Sequence, residues 1–357
     1  MKINTVSYLS TLGKLSKTCK HKISKDTLIL GYTTMELTRV LDERMITLQR
    51  QGIISFAMSS RGEEACSVAS AAALELEDWM FPQYREQGFL FWRGYAINQY
   101  IHHMFSNGKD ITLGRQMPNH FGSRELNVAT VSSPLGTQLP HAVGAAYAMK
   151  MNKEKAVSIA FFGDGTVSKG DFHTAMNFAS VMKSPVIFFC RNNGYAISTP
   201  TSLQNSSESI AIKGVAYGVT SYQVDGNDFF AVHETVAKAR KECLKGKGPI
   251  LIEAMTYRLG AHSTSDDPSQ YRDEAEVKKW EKRCPILRLR RYLESQKLWD
   301  AKKEKKLQND LKKEIDEAIE EAKQTPPPPL ETLISDVYFE TPPSLQRQLE
   351  EVQILYP

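Results

Sequence analysis

Cysteine is scarce in this sequence, and long apolar runs are missing. The five cysteines share no CxxC spacing and are scattered along the chain, at Cys19, Cys66, Cys190, Cys243 and Cys284. This odd, dispersed set argues against a disulfide framework or a structural zinc site and suits a reducing compartment. No apolar run approaches the ~18 residues that a membrane-spanning helix needs. The sequence therefore indicates a globular protein without a disulfide framework or a structural zinc site.

A strong charge of either sign is also missing from most of the chain. The formal net charge is +4, from 45 Lys and Arg against 41 Asp and Glu. Residues 1–25 hold six of the lysines and no acidic residue, so the remainder carries 39 basic against 41 acidic residues. A body with a balance of −2 gives no reason to expect nucleic acid as a partner.

The acid-free segment 1–25 is basic and rich in Ser and Thr. Such composition is typical of a mitochondrial transit peptide, which predicts a location in the mitochondrial matrix. The alternative is a disordered basic tail. A helix over this segment would gather on one side the apolar residues that recur at every third position, Ile3, Val6, Leu9, Leu12 and Leu15.

The middle of the chain alternates buried strands with helices. Residues 156–162 and 185–190 are apolar and rich in β-forming residues, and residues 170–182 between them have helical periodicity. Strand, helix and strand within about 35 residues predict a parallel crossover unit. The predicted fold class is α/β, a parallel sheet flanked by helices on both faces. The alternation is repeated by a strand at 222–226, a helix at 229–244 and a strand at 249–257.

The two ends of the predicted α/β domain differ in composition. Before the strands, residues 33–51 and 61–76 have helical patterns, and after them residues 276–323 are charged and helical. The run "TPPPP" at 325–329 can be neither helix nor central strand. We therefore predict a domain over 26–324 with a helical C-terminal extension, followed by a proline-rich hinge and a tail over 325–357.

Two polar motifs end two successive predicted strands. "GDG" at 163–165 places Asp164 between glycines, and "NN" at 192–193 follows 26 residues later. Ligands bind at the carboxyl ends of strands in an open parallel sheet. A carboxylate and an amide oxygen beside a turn that favours phosphate are suitable ligands for Mg²⁺. The spacing predicts a magnesium-diphosphate site; "GDG" alone could be a simple turn, and a Rossmann site would need GxGxxG, which this position lacks.

Further motifs extend this pattern into a family resemblance that covers nearly the whole chain from about residue 35. The chain resembles the alpha subunit of branched-chain 2-oxoacid dehydrogenase, the thiamine-diphosphate-dependent decarboxylating component. The motifs that carry the resemblance are "RQGIISF", "GEEACSVASAAAL", "QYREQG", "RQMPNHFG", "SSPLGTQLPHAVGAAYA", "FFCRNNGYAISTPTS", "VDGNDFFAV", "LIEAMTYRLGAHSTSDD" and "SDVY".

This resemblance implies a set of site residues. The family's magnesium ligands match Asp164, Asn193 and the carbonyl of Tyr195, and its catalytic histidine matches His262. The residues that would contact thiamine diphosphate are Tyr84, Arg85, Ser133, Leu135, Gly165, Thr166, Arg191 and His262. A potassium site is implied at Ser132, Pro134, Thr137 and Gln138.

The resemblance also bears on the loop around the histidine. Ser263 matches a family phosphorylation site, so we expect a regulatory kinase and phosphatase. A second family phosphorylation site falls at Asp273, which cannot be phosphorylated. Where the branched-chain type usually has two adjacent histidines, this chain has Ala261 before His262.

The implied reaction needs other proteins. The family's cofactor-activating glutamate belongs to a separate beta subunit, which implies a heterotetramer of two alpha and two beta chains. The implied activity is oxidative decarboxylation of branched-chain 2-oxoacids and transfer of the acyl group to the lipoyl group of a transacylase. Two alternatives stay open: the alpha subunit of the related pyruvate dehydrogenase, and a subunit without catalytic function that acts as a scaffold for its partner.

Overall fold

The computed structural model describes residues 3–335 and 337–356. Met1 and Lys2 of the basic segment, Asp336 of the "SDVY" motif and the final Pro357 lie outside the described residues. The strands of the described part are β1 (Thr5–Val6), β2 (Trp79–Phe81), β3 (Ser158–Gly163), β4 (Val186–Asn192), β5 (Tyr195–Ala196), β6 (Thr199–Pro200), β7 (Thr220–Asp225) and β8 (Ile250–Met255).

Twelve α-helices accompany these strands in the described residues. Short 3-10 helices also occur, and one of them, Asp164–Ser168, follows β3 directly. The α-helices are α1 (Lys25–Arg50), α2 (Glu64–Ala72), α3 (Gln87–Trp92), α4 (Ile97–Phe105), α5 (Gln138–Met151), α6 (Gly170–Met182), α7 (Thr201–Gln204), α8 (Phe229–Leu244), α9 (Glu274–Glu281), α10 (Pro285–Ser295), α11 (Ala301–Gln324) and α12 (Pro343–Leu355).

Six strands form one parallel sheet in the order β1-β7-β8-β4-β3-β2, as seen in the described residues. The remaining two, β5 and β6, form a small antiparallel pair. The residues of β4 are buried throughout, as expected of a strand covered on both faces. The predicted α/β fold with a parallel sheet and C-terminal helices is confirmed.

The two faces of the sheet lie in two separate hydrophobic clusters. Phe161 and Phe189 pack in a cluster with α1, α2 and α8, whereas Phe162 and Phe188 pack in a cluster with α5 and α6. Neighbouring residues of a strand point to opposite faces, so alternate side chains enter the two clusters. Helices on both faces thus hold the central strands β3 and β4 in place.

The N-terminal segment packs against the folded body. β1 pairs in parallel with β7 at the sheet edge, and Leu9 is buried. The backbone N–H groups of Tyr8 and Leu9 both donate to Oδ2 of Asp228, at 2.6 Å. Arg288 of α10 donates to the carbonyl of Leu9. Thr5–Val6 therefore forms the edge strand of the sheet, and Tyr8 and Leu9 dock behind it. Cleavage of the segment as a transit peptide stays a prediction.

The C-terminal helices α10 and α11 pack on the same face as α1. The long helix α11 contacts α4, where Asn107 Nδ2 donates to the carbonyl of Ala322 at 3.1 Å. The proline-rich run after α11 is irregular, and its Pro326 carbonyl accepts from the N–H of Gly108 at 2.8 Å. Across residues 3–335 and 337–356, no helix has the length and apolar character needed to cross a membrane.

Candidate active site

The polar motifs meet at the carboxyl ends of β3 and β4. Gly163 pairs with Arg191 in the register of these strands, so Asp164 and Asn193 follow on adjacent strand ends. They border a cavity of about 150 Å³. Ten of the eleven residues predicted to contact magnesium or cofactor line it: Tyr84, Arg85, Leu135, Asp164, Gly165, Thr166, Arg191, Asn193, Tyr195 and His262.

The two side chains predicted to bind metal are both nearly fully buried. Oδ2 of Asp164 accepts from Thr201 Oγ1 at 2.8 Å and from Gln204 Nε2 at 3.1 Å. Oδ1 of Asn193 accepts from the N–H of Tyr195 at 3.2 Å. Burial raises the pKa of Asp164, because the charged form loses water. A nearby dication would offset that loss and favour the carboxylate.

The donor set at this position consists of oxygens of different kinds. A carboxylate, an amide oxygen and a backbone carbonyl together suit Mg²⁺, which takes its remaining ligands from phosphate and water. Within the described residues, no group of three or more His, Cys, Asp or Glu side chains could hold a metal ion. The oxygen groups at these strand ends are therefore of the kinds that the sequence predicts for a magnesium site.

The turn after β3 brings backbone close to its neighbour. A Cβ at Gly165 would lie 2.8 Å from the Cβ of Ala196 in β5, so a larger residue would collide there. At Gly163 the added Cβ would lie 3.5 Å from Gln83, an ordinary contact. Of the two glycines in the motif, only the second is required by close approach.

Thr166 is another of the residues that line the same cavity. The residue is fully buried, and its Oγ1 has no hydrogen-bond partner among the described residues. An unpaired buried hydroxyl is costly, so native proteins rarely leave one without reason. A phosphate oxygen in the cavity would accept this hydrogen bond. The orphaned hydroxyl is the structural feature that best fits a bound diphosphate.

Arg191 is held by acceptors of the protein itself. Its Nε lies 2.7 Å from Glu86 Oε1, its Nη2 donates to Gln83 Oε1 at 3.0 Å, and its Nη1 donates to Glu63. Burial alone would lower the pKa of Arg191, but the carboxylates of Glu86 and Glu63 raise it above the usual range. Arg191 also lines the cavity, so a ligand there would meet a guanidinium that these acceptors already hold in place.

Glu86 also shapes the loop that carries two predicted cofactor contacts. Its Oε2 accepts from the backbone N–H groups of Gln83, Tyr84 and Arg85, at 2.9, 3.1 and 3.2 Å. Three amides that converge on one carboxylate fix the local turn. This buried carboxylate explains how the "QYRE" stretch holds a tyrosine ring and a guanidinium at the cavity.

His262 is enclosed by positive charge. Its Nδ1 lies 3.3 Å from Arg85 Nη2 and 3.4 Å from Arg258 Nη1. Burial and these two guanidinium groups lower the pKa of His262 to about 3. Since both neighbours are donors, Nδ1 acts as acceptor, and the ring proton is assigned to Nε2. The imidazole is therefore neutral at the cavity wall.

The "SSPLGTQ" loop divides its predicted contacts between two places. Leu135 lines the cavity and supplies an apolar surface there. Oγ of Ser133 lies 2.7 Å from Nε2 of His120, and Ser133 is outside the set of described residues that line the cavity. Among the predicted cofactor contacts, Ser133 alone is not found with the others in the lining of the cavity.

The residues of the predicted potassium site lie partly together. Thr137 Oγ1 donates to Ser132 Oγ at 2.9 Å and to the carbonyl of Pro134 at 2.7 Å. Gln138 instead donates from Nε2 to the carbonyl of Phe161 in β3, at 2.8 Å. Three of the four residues thus form one oxygen cluster, and the fourth anchors α5 to the sheet.

The loop that carries Ser263 borders a second cavity of about 310 Å³. Ser263, Asp266 and Ala261 all line it. Oδ2 of Asp266 accepts from the N–H of His262 and from the hydroxyl of Tyr271, both at 2.6 Å. This carboxylate ties together the two ends of the loop, next to the predicted phosphorylation site.

Some residues of the site had no signal in the sequence. Arg258 and Glu63 are buried and contact predicted site residues, although nothing in their local pattern indicates burial. Gln83 and Glu86 are exceptions, since they directly flank the predicted Tyr84 and Arg85. Position next to these two residues is the signal that could have found them.

Comparisons with known proteins identify the family of this chain. The family model described as dehydrogenase E1 component matches residues 32–331, a range that contains every residue lining the cavity. The chain is 48% identical over 330 residues to an Arabidopsis thaliana protein named 2-oxoisovalerate dehydrogenase subunit alpha 2, mitochondrial, covering 92% of this chain and 70% of that protein.

Animal proteins show the same similarity. The human protein named 2-oxoisovalerate dehydrogenase subunit alpha, mitochondrial, is 47% identical over 331 residues, which cover 92% of this chain and 74% of the human one. The protein of the same name from Caenorhabditis elegans is 46% identical over 340 residues, or 95% of this chain and 79% of that protein.

Proposed function

Because the chain belongs to the dehydrogenase E1 component family, we propose that it is the alpha subunit of a branched-chain 2-oxoacid dehydrogenase, an oxidoreductase of branched-chain amino acid catabolism. The observation that carries the proposal is the cavity that joins Asp164, Asn193, Thr166 and His262 at the strand ends. The names of the relatives favour the branched-chain type over the pyruvate-specific one. A pure scaffold would have no need of these buried polar groups.

The lining residues suit the metal and diphosphate end of thiamine diphosphate bound with Mg²⁺. When bound, this cofactor supplies the electron sink for loss of carbon dioxide from a 2-oxoacid. Asp164, Asn193 and the carbonyl of Tyr195 would hold the metal ion. The unpaired hydroxyl of Thr166 and the guanidinium of Arg191 would contact the diphosphate.

Three lining residues then shape the reacting part of the cavity. Leu135 and Tyr84 supply apolar and aromatic contacts for the organic part of the cofactor. The neutral imidazole of His262 holds a proton at Nε2 that it can share with an oxygen of the substrate during acyl transfer. Burial and the guanidinium groups of Arg85 and Arg258 keep that imidazole uncharged, because together they lower its pKa.

The size of the cavity supports a site shared with another chain. Pockets for whole small molecules measure roughly 300 to 1,000 Å³, whereas this one measures about 150 Å³. We therefore propose a beta subunit that completes the site in a heterotetramer of two alpha and two beta chains. A lipoyl-bearing transacylase would receive the acyl group, the complex would work in the mitochondrial matrix, and Ser132, Pro134, Thr137 and Gln138 would bind a structural K⁺ ion.

We also propose that a kinase inactivates the enzyme at Ser263 and a phosphatase restores it. A phosphate there adds roughly −1.5 to −2 charge. It would repel the carboxylate of Asp266, which holds the loop through His262 and Tyr271. Phosphopeptide mapping after kinase treatment tests the site. Unchanged activity after complete modification of Ser263 would contradict the proposal.

The decisive experiment measures decarboxylation of 3-methyl-2-oxobutanoate. The chain would be assayed alone and co-expressed with its beta subunit, with thiamine diphosphate and Mg²⁺ present or withheld. We expect activity only with both chains and both cofactors, and none for an Asp164→Ala chain that still assembles. Turnover of pyruvate instead would favour the related enzyme, and inactivity on both acids, or full activity of the variant, would favour the scaffold.

A further inference from the structure

A buried glutamate, Glu63, accepts hydrogen bonds from two residues of the candidate site. Glu63 is 1% exposed and lies at the start of α2. Its Oε1 accepts from Nδ2 of Asn193 at 3.1 Å, and its Oε2 accepts from Nη1 of Arg191. Both partners line the cavity, whereas Glu63 is not among the described residues that do. One carboxylate thus supports two groups that face the ligand.

The backbone fixes the position of this carboxylate. Gly62 has φ +96°, and a Cβ there would lie 2.4 Å from the carbonyl oxygen of Tyr257. Thr256 Oγ1 donates to the Gly62 carbonyl at 3.1 Å, and the N–H of Glu63 donates to Ser60 at 2.8 Å. Only glycine permits this close approach to the chain that follows β8. The loop therefore holds Glu63 rigidly at the site.

The chemistry of Glu63 sets the orientation of Asn193. A carboxylate accepts hydrogen bonds and cannot donate them, so it must face the NH₂ group of the amide. The amide oxygen is then directed to the opposite side, where it accepts from the N–H of Tyr195 at 3.2 Å. Without an acceptor behind it, the amide could turn over and present nitrogen to the metal.

We propose that Glu63 is a positioning residue that keeps the oxygen of Asn193 directed at the metal ion and holds Arg191 beside the diphosphate. The inference rests on the proposed function, since it assigns a role toward the same metal. Glu63 acts through its two neighbours and does not itself touch substrate or cofactor.

The substitution Glu63→Gln removes this support with little change in shape. Glutamine offers one oxygen acceptor where glutamate offers two, so it cannot serve Asn193 and Arg191 together. Its NH₂ group would face one of the two donors. Loss of an outer-shell partner of a metal ligand typically weakens metal binding by roughly 10- to 100-fold. We expect the metal affinity of Glu63→Gln to fall by a factor of that size.

The neighbouring Glu64 supplies a matched control. It is also buried, at 0% exposure, but it pairs with Arg39, whose Nε donates at 2.8 Å, and accepts from Gly62. Glu64→Gln removes the same charge from the same turn without touching Asn193 or Arg191. We expect this variant to keep the metal affinity of the unmodified complex.

Binding of Mn²⁺, a paramagnetic substitute for Mg²⁺, provides a readout apart from activity. The complex of this chain with its beta subunit would be freed of metal and titrated with Mn²⁺ at saturating thiamine diphosphate, and free Mn²⁺ would be measured by electron paramagnetic resonance. For Glu63→Gln we expect the Mn²⁺ dissociation constant to rise roughly 10- to 100-fold. We expect kcat at saturating metal to fall by a smaller factor.

Equal Mn²⁺ affinity in Glu63→Gln and the unmodified complex would overturn the inference, as would an equal loss in Glu63→Gln and Glu64→Gln. If Glu63→Gln does not assemble, Glu63→Asp, which keeps the charge with a shorter reach, replaces it. If Glu63→Asp binds Mn²⁺ more weakly than Glu64→Gln, the positioning role of Glu63 is supported. If the two variants bind Mn²⁺ equally well, the role is overturned. If the unmodified complex shows no Mn²⁺ binding that depends on thiamine diphosphate, the proposed function itself fails, and this inference with it.

Discussion

His262 lies in surroundings that disfavour the charged imidazolium form of its side chain. Its Nδ1 has Arg85 at 3.3 Å and Arg258 at 3.4 Å, and the ring is partly buried. Burial and like charge both disfavour the imidazolium. The pKa therefore falls from 6.5 to about 3, which keeps the ring neutral throughout the range in which free histidine titrates.

The sign of the resulting pH dependence follows from linkage. Between about pH 3 and 6.5, the unfolded chain binds a proton at His262 and the folded chain does not. The contribution of this group to stability is therefore fully present above 6.5 and is lost as the pH falls toward 3. Acid should weaken the loop around His262 rather than strengthen it.

We predict that His262 shows no titration between about pH 5 and pH 8. Its Cε1 resonance in ¹³C-histidine-labelled complex, assigned with a His262→Gln variant, would report the protonation state. Arg258→Gln removes one positive neighbour and should raise the pKa. Circular dichroism of that variant serves as the folding control. A midpoint near 6.5 in the unmodified protein would contradict the arrangement described here.

At the scale of elements, composition and packing give different indications about the N-terminal segment. Residues 1–25 have the composition of a targeting segment, yet β1 extends the sheet and Asp228 binds two N–H groups behind it. Asp228 also caps α8 through Oδ1. A single carboxylate therefore connects the segment to a helix that packs on the sheet.

We predict that Leu9→Ala destabilises the protein by about 2 to 5 kcal/mol, the usual cost of truncating a buried leucine. Leu9 is 1% exposed, whereas Leu12 in the same segment is 67% exposed. Leu12→Ala is therefore the matched control and should change stability little. Urea denaturation of the two variants in the same complex measures the difference. Equal midpoints would show that the segment does not dock as described.

Local pattern was sufficient for the elements that have strong periodicity. Helices α6 and α8 begin and end at the predicted residues, and β3, β4, β7 and β8 lie within two residues of prediction. By contrast, α4 and the short strands β1 and β2 were not predicted. A strand of two or three residues has too few side chains to show alternation. Its existence depends on a neighbour that is distant in sequence, such as β7 for β1.

At the scale of the whole molecule, the same contrast explains what could be predicted of the site. Asp164 and Asn193 could be placed together because both end strands of one crossover unit. Glu63 contacts Asn193 across 130 positions of sequence, and Arg191 contacts Glu63 across 128. Such contacts follow from the tertiary fold rather than from local pattern, so the residues behind the cavity could not be identified from the sequence.

The proposed sharing of the site with a beta subunit leads to a prediction for the assembled molecule. A ligand that binds only the folded state stabilises it by about 2.7 kcal/mol at ~100 times its dissociation constant. The cavity of this chain measures about 150 Å³ and would hold only part of thiamine diphosphate. We therefore predict that thiamine diphosphate with Mg²⁺ raises the Tm of the complex with the beta subunit clearly more than that of the isolated chain.

Differential scanning fluorimetry with increasing cofactor would measure both shifts. A complex that contains Asp164→Ala is the control, because loss of this carboxylate removes a proposed metal ligand and should abolish the Mg²⁺-dependent part of the rise. An equal rise for the isolated chain would mean that its own residues hold the whole cofactor. The small cavity would then have to open on binding, and the beta subunit would be needed for catalysis rather than for cofactor binding. The concentration dependence of the two shifts separates these cases, since a half-site binds more weakly and saturates later.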